Sequence, residues 1–400
     1  MKKQLISVLG LAILATPAFA SKARLLALGE DVYGSFYVND NRNIFYNAAQ
    51  INNHKDYVTF EWGDTSSTLE TNATPKAEGG FYKSAGALNY GVHLGSESVS
   101  STGFRAASGV IAVQESNNID LFVGGDAGVK WGANVTYSKT NKNDANNGEQ
   151  EAIRSRFGVI AGDLEVFANV NLSNKAKVDQ TANLGDPEFL PAGEFKGKMG
   201  YQLGVIYNHN DYRLFADYRS LKGEAKGAEI GAPANIDLTG DLETSQIQVG
   251  VGKANKLNDK TTLFSKIQYQ KNKSENTTGS AIDFGEDWLG AGLVGCQLST
   301  SIFCNEYSAS FIPVTIGLEH EAASWLALRG SISQTVWGTE EDSSDERSFA
   351  ESTKINAGAS LKFGEMSIDG LIGSGAGNST DAGVVNTDNL MSRVSMTYKF

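Results

Sequence analysis

From residue 119 onward one unit recurs along the chain. Two runs of about ten residues alternate apolar with polar side chains, a short polar turn joins them, and a longer polar loop follows. Period-two alternation sends successive side chains to opposite faces, so each run separates an oily surface from a wet one. Six such hairpins stand out: Ile119–Gly124 with Val129–Lys139, Ile153–Ala161 with Leu164–Ser173, Met199–Asn208 with Tyr212–Leu221, Thr244–Gly252 with Thr261–Lys271, Phe311–Leu318 with Trp325–Val336, and Lys354–Phe363 with Glu365–Ile372. The Gly125-Asp126-Ala127-Gly128 and Gly162-Asp163 turns tolerate positive φ. This pattern predicts antiparallel sheet throughout.

Both ends of the chain sharpen the reading. Residues 391–400 alternate once more, with Val394, Met396, Tyr398 and Phe400 on one face and Arg393, Ser395, Thr397 and Lys399 on the other. Met1 to Ala20 reads as a cleavable secretory signal: Lys2 and Lys3, the apolar stretch Leu5 to Ala15, then Ala18-Phe19-Ala20 before the cut. The mature protein is expected to begin at Ser21, where no cysteine offers a lipid anchor. No later apolar run approaches the ~18 residues of a spanning helix.

Removing Lys2 and Lys3 takes the net charge from −12 to −14, which disfavours nucleic acid as a partner. Forty-four glycines against six prolines suit short strands and turns. The terminal aromatic strand and the repeated hairpins resemble those of outer-membrane porins over nearly the whole mature chain. The resemblance implies an all-β fold, a closed antiparallel transmembrane β-barrel in the outer membrane of a Gram-negative bacterium, with Tyr398 and Phe400 as the C-terminal signal read by the assembly machinery. The six hairpins, the C-terminal run and Leu88–Leu94 make fourteen strands, the favoured count; adding Tyr57–Trp62 and Gly34–Val38 makes sixteen, the other even number open to it. Three parts follow: residues 1–20 as signal, 21–53 as an N-terminal segment and candidate lumen plug, and 54–400 as barrel.

Short turns face the periplasm in such barrels and long loops face outward. Val129, Trp131, Val135 and Tyr137, Phe157 and Val159, Leu203, Val205 and Tyr207, Ile247, Val249 and Val251, and Leu326, Leu328 and Ile332 are then lipid-facing. The opposite register supplies more polar groups than a dry core could satisfy, which predicts a water-filled lumen. Arg154, Arg156, Arg213, Asp217, Lys266 and Arg329 are the candidates for its constriction, either as an internal field biasing permeation by charge or as pairs bracing the wall. Cys296 and Cys304 are close enough in one long loop for a disulfide in an oxidising compartment. In the same loop Trp288–Val294 is expected to fold against the rim or into the mouth.

The stretch after the signal has a different character. Ala23-Arg24-Leu25-Leu26-Ala27-Leu28-Gly29, then Asn39-Asp40, Asn43, Phe45 and Asn47-Ala48-Ala49, resembles the opening segment of the FadL-like outer-membrane transporters of hydrophobic compounds. That family carries an Ala-Arg-x-x-Ala-x-Gly element, an Asp/Asn-rich turn and an Asn-Pro-Ala element; here Ala48 stands in place of the proline. The resemblance covers residues 22–62 and implies a lumen plug that includes Arg24, Gly29, Asn43 and Asn47.

No catalytic set accompanies these features. The chain has four histidines, and His93, on a lumen-facing register, has neither a Gly-x-Ser-x-Gly element nor an ordered acid-base-nucleophile set near it. No metal-ligand spacing and no cofactor motif occur, so neither enzyme activity nor a cofactor is expected. The expected function is passive diffusion of small hydrophilic solutes or ions. FadL-like uptake of hydrophobic compounds and a structural or adhesive surface barrel are the alternatives. Outer-membrane lipid is the expected surrounding; many porins are trimers, but nothing in the sequence marks a homo-oligomer interface.

Overall fold

The computed structural model describes residues 21–63, 77–96, 115, 117–141, 148–179, 193–226, 240–276, 306–342, 346–348, 353–376 and 393–400. The signal, Cys296, Cys304 and Trp288–Val294 lie outside the described residues. Eighteen strand segments follow one another: β1 (Tyr57–Trp62), β2 (Ala77–Ala85), β3 (Leu88–Leu94), β4 (Ile119–Asp126), β5 (Lys130–Thr140), β6 (Gly148–Ala161), β7 (Leu164–Val178), β8 (Gly193–Gly197) and β9 (Gly200–His209) make the first half. The second half is β10 (Tyr212–Lys226), β11 (Gly240–Asn258), β12 (Thr261–Asn276), β13 (Glu306–Ala323), β14 (Leu326–Asp342), β15 (Glu346–Ser348), β16 (Thr353–Phe363), β17 (Met366–Ala376) and β18 (Val394–Lys399).

Each segment runs antiparallel to its neighbour, and β18 returns to β1 with Lys399 opposite Tyr57 and Val394 opposite Trp62. The wall is therefore closed. Segments β8 and β9 both lie between β7 and β10, and β15 and β16 both pair with β14, so each couple forms one strand of the wall. Sixteen strands result, the larger of the two counts open to the sequence. The two that complete it are β1 and β2. Gly34–Val38 is not in the wall; it is buried inside the ring, where Gly34 makes an isolated bridge to Asp31. Strand β2 escaped the sequence pattern because only Phe81 marks its oily face, Gly79 and Gly80 blurring the alternation.

The outward register is apolar and solvent-accessible, as with Val135, Phe157, Leu203, Val249 and Ile332. A contiguous surface of that kind suits hydrocarbon and not water. A closed ladder leaves no backbone edge unpaired, the condition for strands to cross a bilayer. No helix among the described residues is long and apolar enough to cross a membrane. The molecule is an outer-membrane β-barrel of the Gram-negative type.

Residues 21–56 occupy the inside of this ring. They fold as one short helix, α1 (Lys22–Ala27), and two 3₁₀ turns, η1 (Asn41–Phe45) and η2 (Ala48–Asn52). Each starts on a side-chain cap: Ser21 accepts from the Arg24 amide, Asp40 from Arg42 and Asn47 from Ala49. Helices this short have little stability alone, so packing against the wall holds them.

Candidate functional site

The lumen at the short-turn end is the site, and the inner segment meets nearly its whole circumference. Helix α1 packs on β14, β16, β17 and β18, while η2 packs on β3, β4, β5 and β6. Between them, Phe36 and Tyr46 stack at 5.0 Å and join Phe167, Ile206 and Phe215 of β7, β9 and β10. Leu25, Leu28, Tyr37 and Val38 gather on Phe264 of β12.

Several wall positions facing the segment are glycines, which bring backbone against backbone. A Cβ built on Gly132 would overlap the Ala48 carbonyl, and one on Gly158 would overlap the Asn47 side chain. Gly29, at the end of the α1 turn, has φ +75°, and a Cβ there would lie 2.9 Å from Thr315 of β13. Small residues at these points are a condition of the segment seating at all.

Charge holds what shape admits. On one side Lys22 and Arg42 of the segment share Glu61 of β1 and Glu78 of β2: Arg42 lies 2.7 Å from Glu78 and 3.5 Å from Glu61, and Lys22 lies 3.0 Å from Glu78. All four are buried. His93 stands at the edge of this cluster, 3.7 Å from Glu78, with its Nδ1 at 2.9 Å from the Tyr82 hydroxyl. Farther round the wall Arg24 donates to Asp40 at 2.9 Å and to Glu319 of β13 at 3.0 Å. Arg329 of β14 shares Glu319 and donates to Asp369 of β17 at 2.7 Å. A third tie joins Lys266 of β12 to Glu30 at 2.7 Å.

Burial also acts on titrating groups of the segment itself, Asp40 and His54 among them. Burial pushes the Asp40 carboxyl up to about 6, although Arg24 beside it opposes the change. The His54 imidazole is lowered to about 4, first by burial and then by the positive charges of Arg24 and Arg213.

Each of the six lumen candidates sits in an ion pair. Arg154 meets Glu115, Arg156 meets Asp120 at 2.8 Å, and Arg213 meets Glu165 at 4.0 Å. Asp217 accepts from Arg219 at 2.9 Å and also from Gln202 and Gln248, within the wall. Lys266 and Arg329 belong to the ties above. The four residues marked in the inner segment lie at separate points within it. Arg24 and Gly29 face β13. Asn43 donates to the Val38 carbonyl at 2.9 Å and accepts from the Ser35 amide at 2.8 Å, folding the loop on itself; Asn47 donates to Glu165 at 3.3 Å.

Sequence reasoning missed the wall carboxylates Glu61, Glu78, Glu319 and Asp369. Their signal was present as acidic side chains on an inward register beside apolar outward neighbours. At the closing seam, Phe400 stacks on Phe81 at 5.6 Å and its amide donates to the Asp56 carbonyl at 3.1 Å.

No family model matches this chain, and no curated protein matches it. Among solved structures it is similar to the Ralstonia pickettii toluene transporter TbuX, at 15% identity over 96% of this chain and 98% of that one, with a TM-score of 0.38. A Pseudomonas aeruginosa FadL homologue gives 12% identity over 95% and 98%, with a TM-score of 0.40. The Pseudomonas putida toluene transporter TodX gives 12% over 96% and 98%, with a TM-score of 0.36. At these scores the likeness adds nothing to what the geometry of this chain carries.

Proposed function

We propose that this barrel takes up small hydrophobic compounds, with residues 21–56 as the plug that denies water and ions a straight path to the periplasm. The carrying observation is the inner segment itself: it meets nearly the full circumference at the short-turn end and is tied by ion pairs to Glu78 of β2 and Glu319 of β13. An open diffusion channel, the first expectation from the sequence, remains an outer-membrane channel in kind but needs an unobstructed lumen.

A break in the wall favours hydrophobic cargo. Pro313 stands in the middle of β13 with neighbours on both sides, yet it has no amide to give a ladder. The pairing with β12 skips from Ile267/Val314 to Gln270/Phe311, and the pairing with β14 shifts register between Ile312 and Pro313. Thr315, next inward on β13, touches Gly29 of the plug. A solute stopped at the plug thus meets a weakly paired stretch of wall. An apolar solute can pass there into hydrocarbon, while a polar one pays heavily for leaving water.

Deleting residues 21–53 tests the plug. The barrel should still fold and show heat-modifiable mobility, and in planar bilayers it should conduct steadily while the intact chain stays closed. Equal, steady openings of both proteins would return the reading to an open diffusion channel. Replacing Pro313 with Val, which restores the missing amide, should slow uptake of a hydrophobic probe without changing ionic current; unchanged uptake would remove the sideways exit.

A further inference from the structure

Above its apolar band the membrane face carries a charged rim, and among the described residues two of its lysines face each other across neighbouring strands. Most of its lysines meet a carboxylate: Lys139 lies 3.7 Å from Glu151, Lys177 3.0 Å from Asp179, Lys222 2.6 Å from Glu243 and Lys226 2.9 Å from Glu224. Lys175 of β7 instead stands directly opposite Lys196 of β8. Like charges so placed on antiparallel strands weaken the pairing. The acids in the same row do not relieve it: Glu151, across from Lys175 on β6, is engaged by Lys139, and Glu224, across from Lys196 on β10, is engaged by Lys226. Glu194, the next outward residue of β8, faces Lys177 and not Lys175.

What lies just below the two lysines is equally unusual. Met199 and Leu172 are the most exposed large apolar side chains among the described residues, at 68% and 59%. Leu172 is pushed out where β7 slips register against β6, Ser173 pairing with Ile153 and Asn171 with Arg154. Tyr201 continues this strip and packs against Tyr218 at 5.9 Å. Two unneutralised cations over an exposed apolar strip match one kind of partner, an amphiphile with an anionic head.

We infer that Lys175 and Lys196 bind the phosphate of an outer-leaflet glycolipid whose acyl chain lies along Leu172, Met199 and Tyr201. Long loops facing outward put this rim at the outer leaflet. The ammonium groups would share the phosphate oxygens, and the phosphate removes the repulsion between them. The inference rests on the barrel and its orientation, not on the cargo.

The test is native mass spectrometry of the intact mature protein in detergent, with lipid A as probe, its dephosphorylated form as control and inorganic phosphate as competitor. Wild type should retain lipid A, release most of it on removal of its phosphates, and be indifferent to inorganic phosphate. Lys175→Gln with Lys196→Gln should weaken retention about thirtyfold, since each cation near a membrane surface contributes about a factor of five. Lys139→Gln with Lys222→Gln should change it little, and Lys175→Arg with Lys196→Arg should restore it. Equal losses in the two glutamine pairs, equal retention of the dephosphorylated lipid, or displacement by inorganic phosphate alone would each overturn the inference.

Discussion

The wall and the segment it encloses are held by opposite means. Neighbouring wall strands are joined by backbone hydrogen bonds around a closed circle, and its charged outer pairs, such as Lys222 with Glu243, are solvent-exposed. The inner segment has no ladder with the wall. Packing, amide side-chain hydrogen bonds such as that of Gln50 to Glu165, and two groups of charges hold it at discrete points, the Glu61, Glu78, Lys22 and Arg42 cluster and the Arg24, Glu319, Arg329 and Asp369 chain. A closed ladder holds its strands residue by residue, whereas a segment held at discrete points can be released by undoing them. The barrel is thus a fixed frame around a separable part.

The largest single-residue effect expected on this contrast comes from Glu78→Gln. It leaves Lys22 and Arg42 buried against Glu61 alone, and breaking a buried pair on one side costs roughly 3–5 kcal/mol. Protease access to residues 21–56 should rise sharply while the heat-modifiable mobility of the barrel is unchanged; unfolding of the wall in step with the segment would break the comparison.

Acid comes next. His54 is neutral when packed and titrates near 6.5 when free, so its contribution holds above about pH 6.5 and is lost as pH falls toward 4, about 3 kcal/mol in all. Asp40 runs the other way: its packed carboxyl binds a proton more readily than the free one, so its contribution is present below about 4 and is lost as pH rises through about 6. The two oppose each other across that window. His54→Asn removes one side, so protease access to the segment should fall on acidification in this variant; an unchanged pH profile would sink the account.

Gly132→Ala should loosen η2 by about 1–3 kcal/mol, since its Cβ meets the backbone of Ala48 and Ala49. Local proteolysis near residue 50 reads this effect. The smallest change expected is Lys222→Ala, on a pair whose side chains are 45% and 41% exposed, at less than about 1 kcal/mol. A measurable opening of the lumen from that rim variant would show the two regions to be coupled.

The faces of the wall were legible because alternation is local. Phe157 and Val159 outward with Arg156 and Gly158 inward can be read from four consecutive residues. Closure followed from the hairpin repeat, and the count stayed between fourteen and sixteen because one strand, β2, has a single strong apolar marker. The segment was legible only as a motif. Arg24 and Gly29 could be marked, but Gly34–Val38, read as a strand candidate, turned inward because its Ser35 amide and hydroxyl are taken up by Asn43 and Glu30 of the same segment.

The sequence by itself determined strands with one oily face and one polar face, since that alternation repeats every two residues. Only the tertiary structure decided that residues 21–56 lie inside the ring. The pairs that hold them there join residues 36 apart, as with Arg42 and Glu78, and 295 apart, as with Arg24 and Glu319. No local period encodes such a distance; it comes into being when β18 meets β1 and the ring closes around the segment.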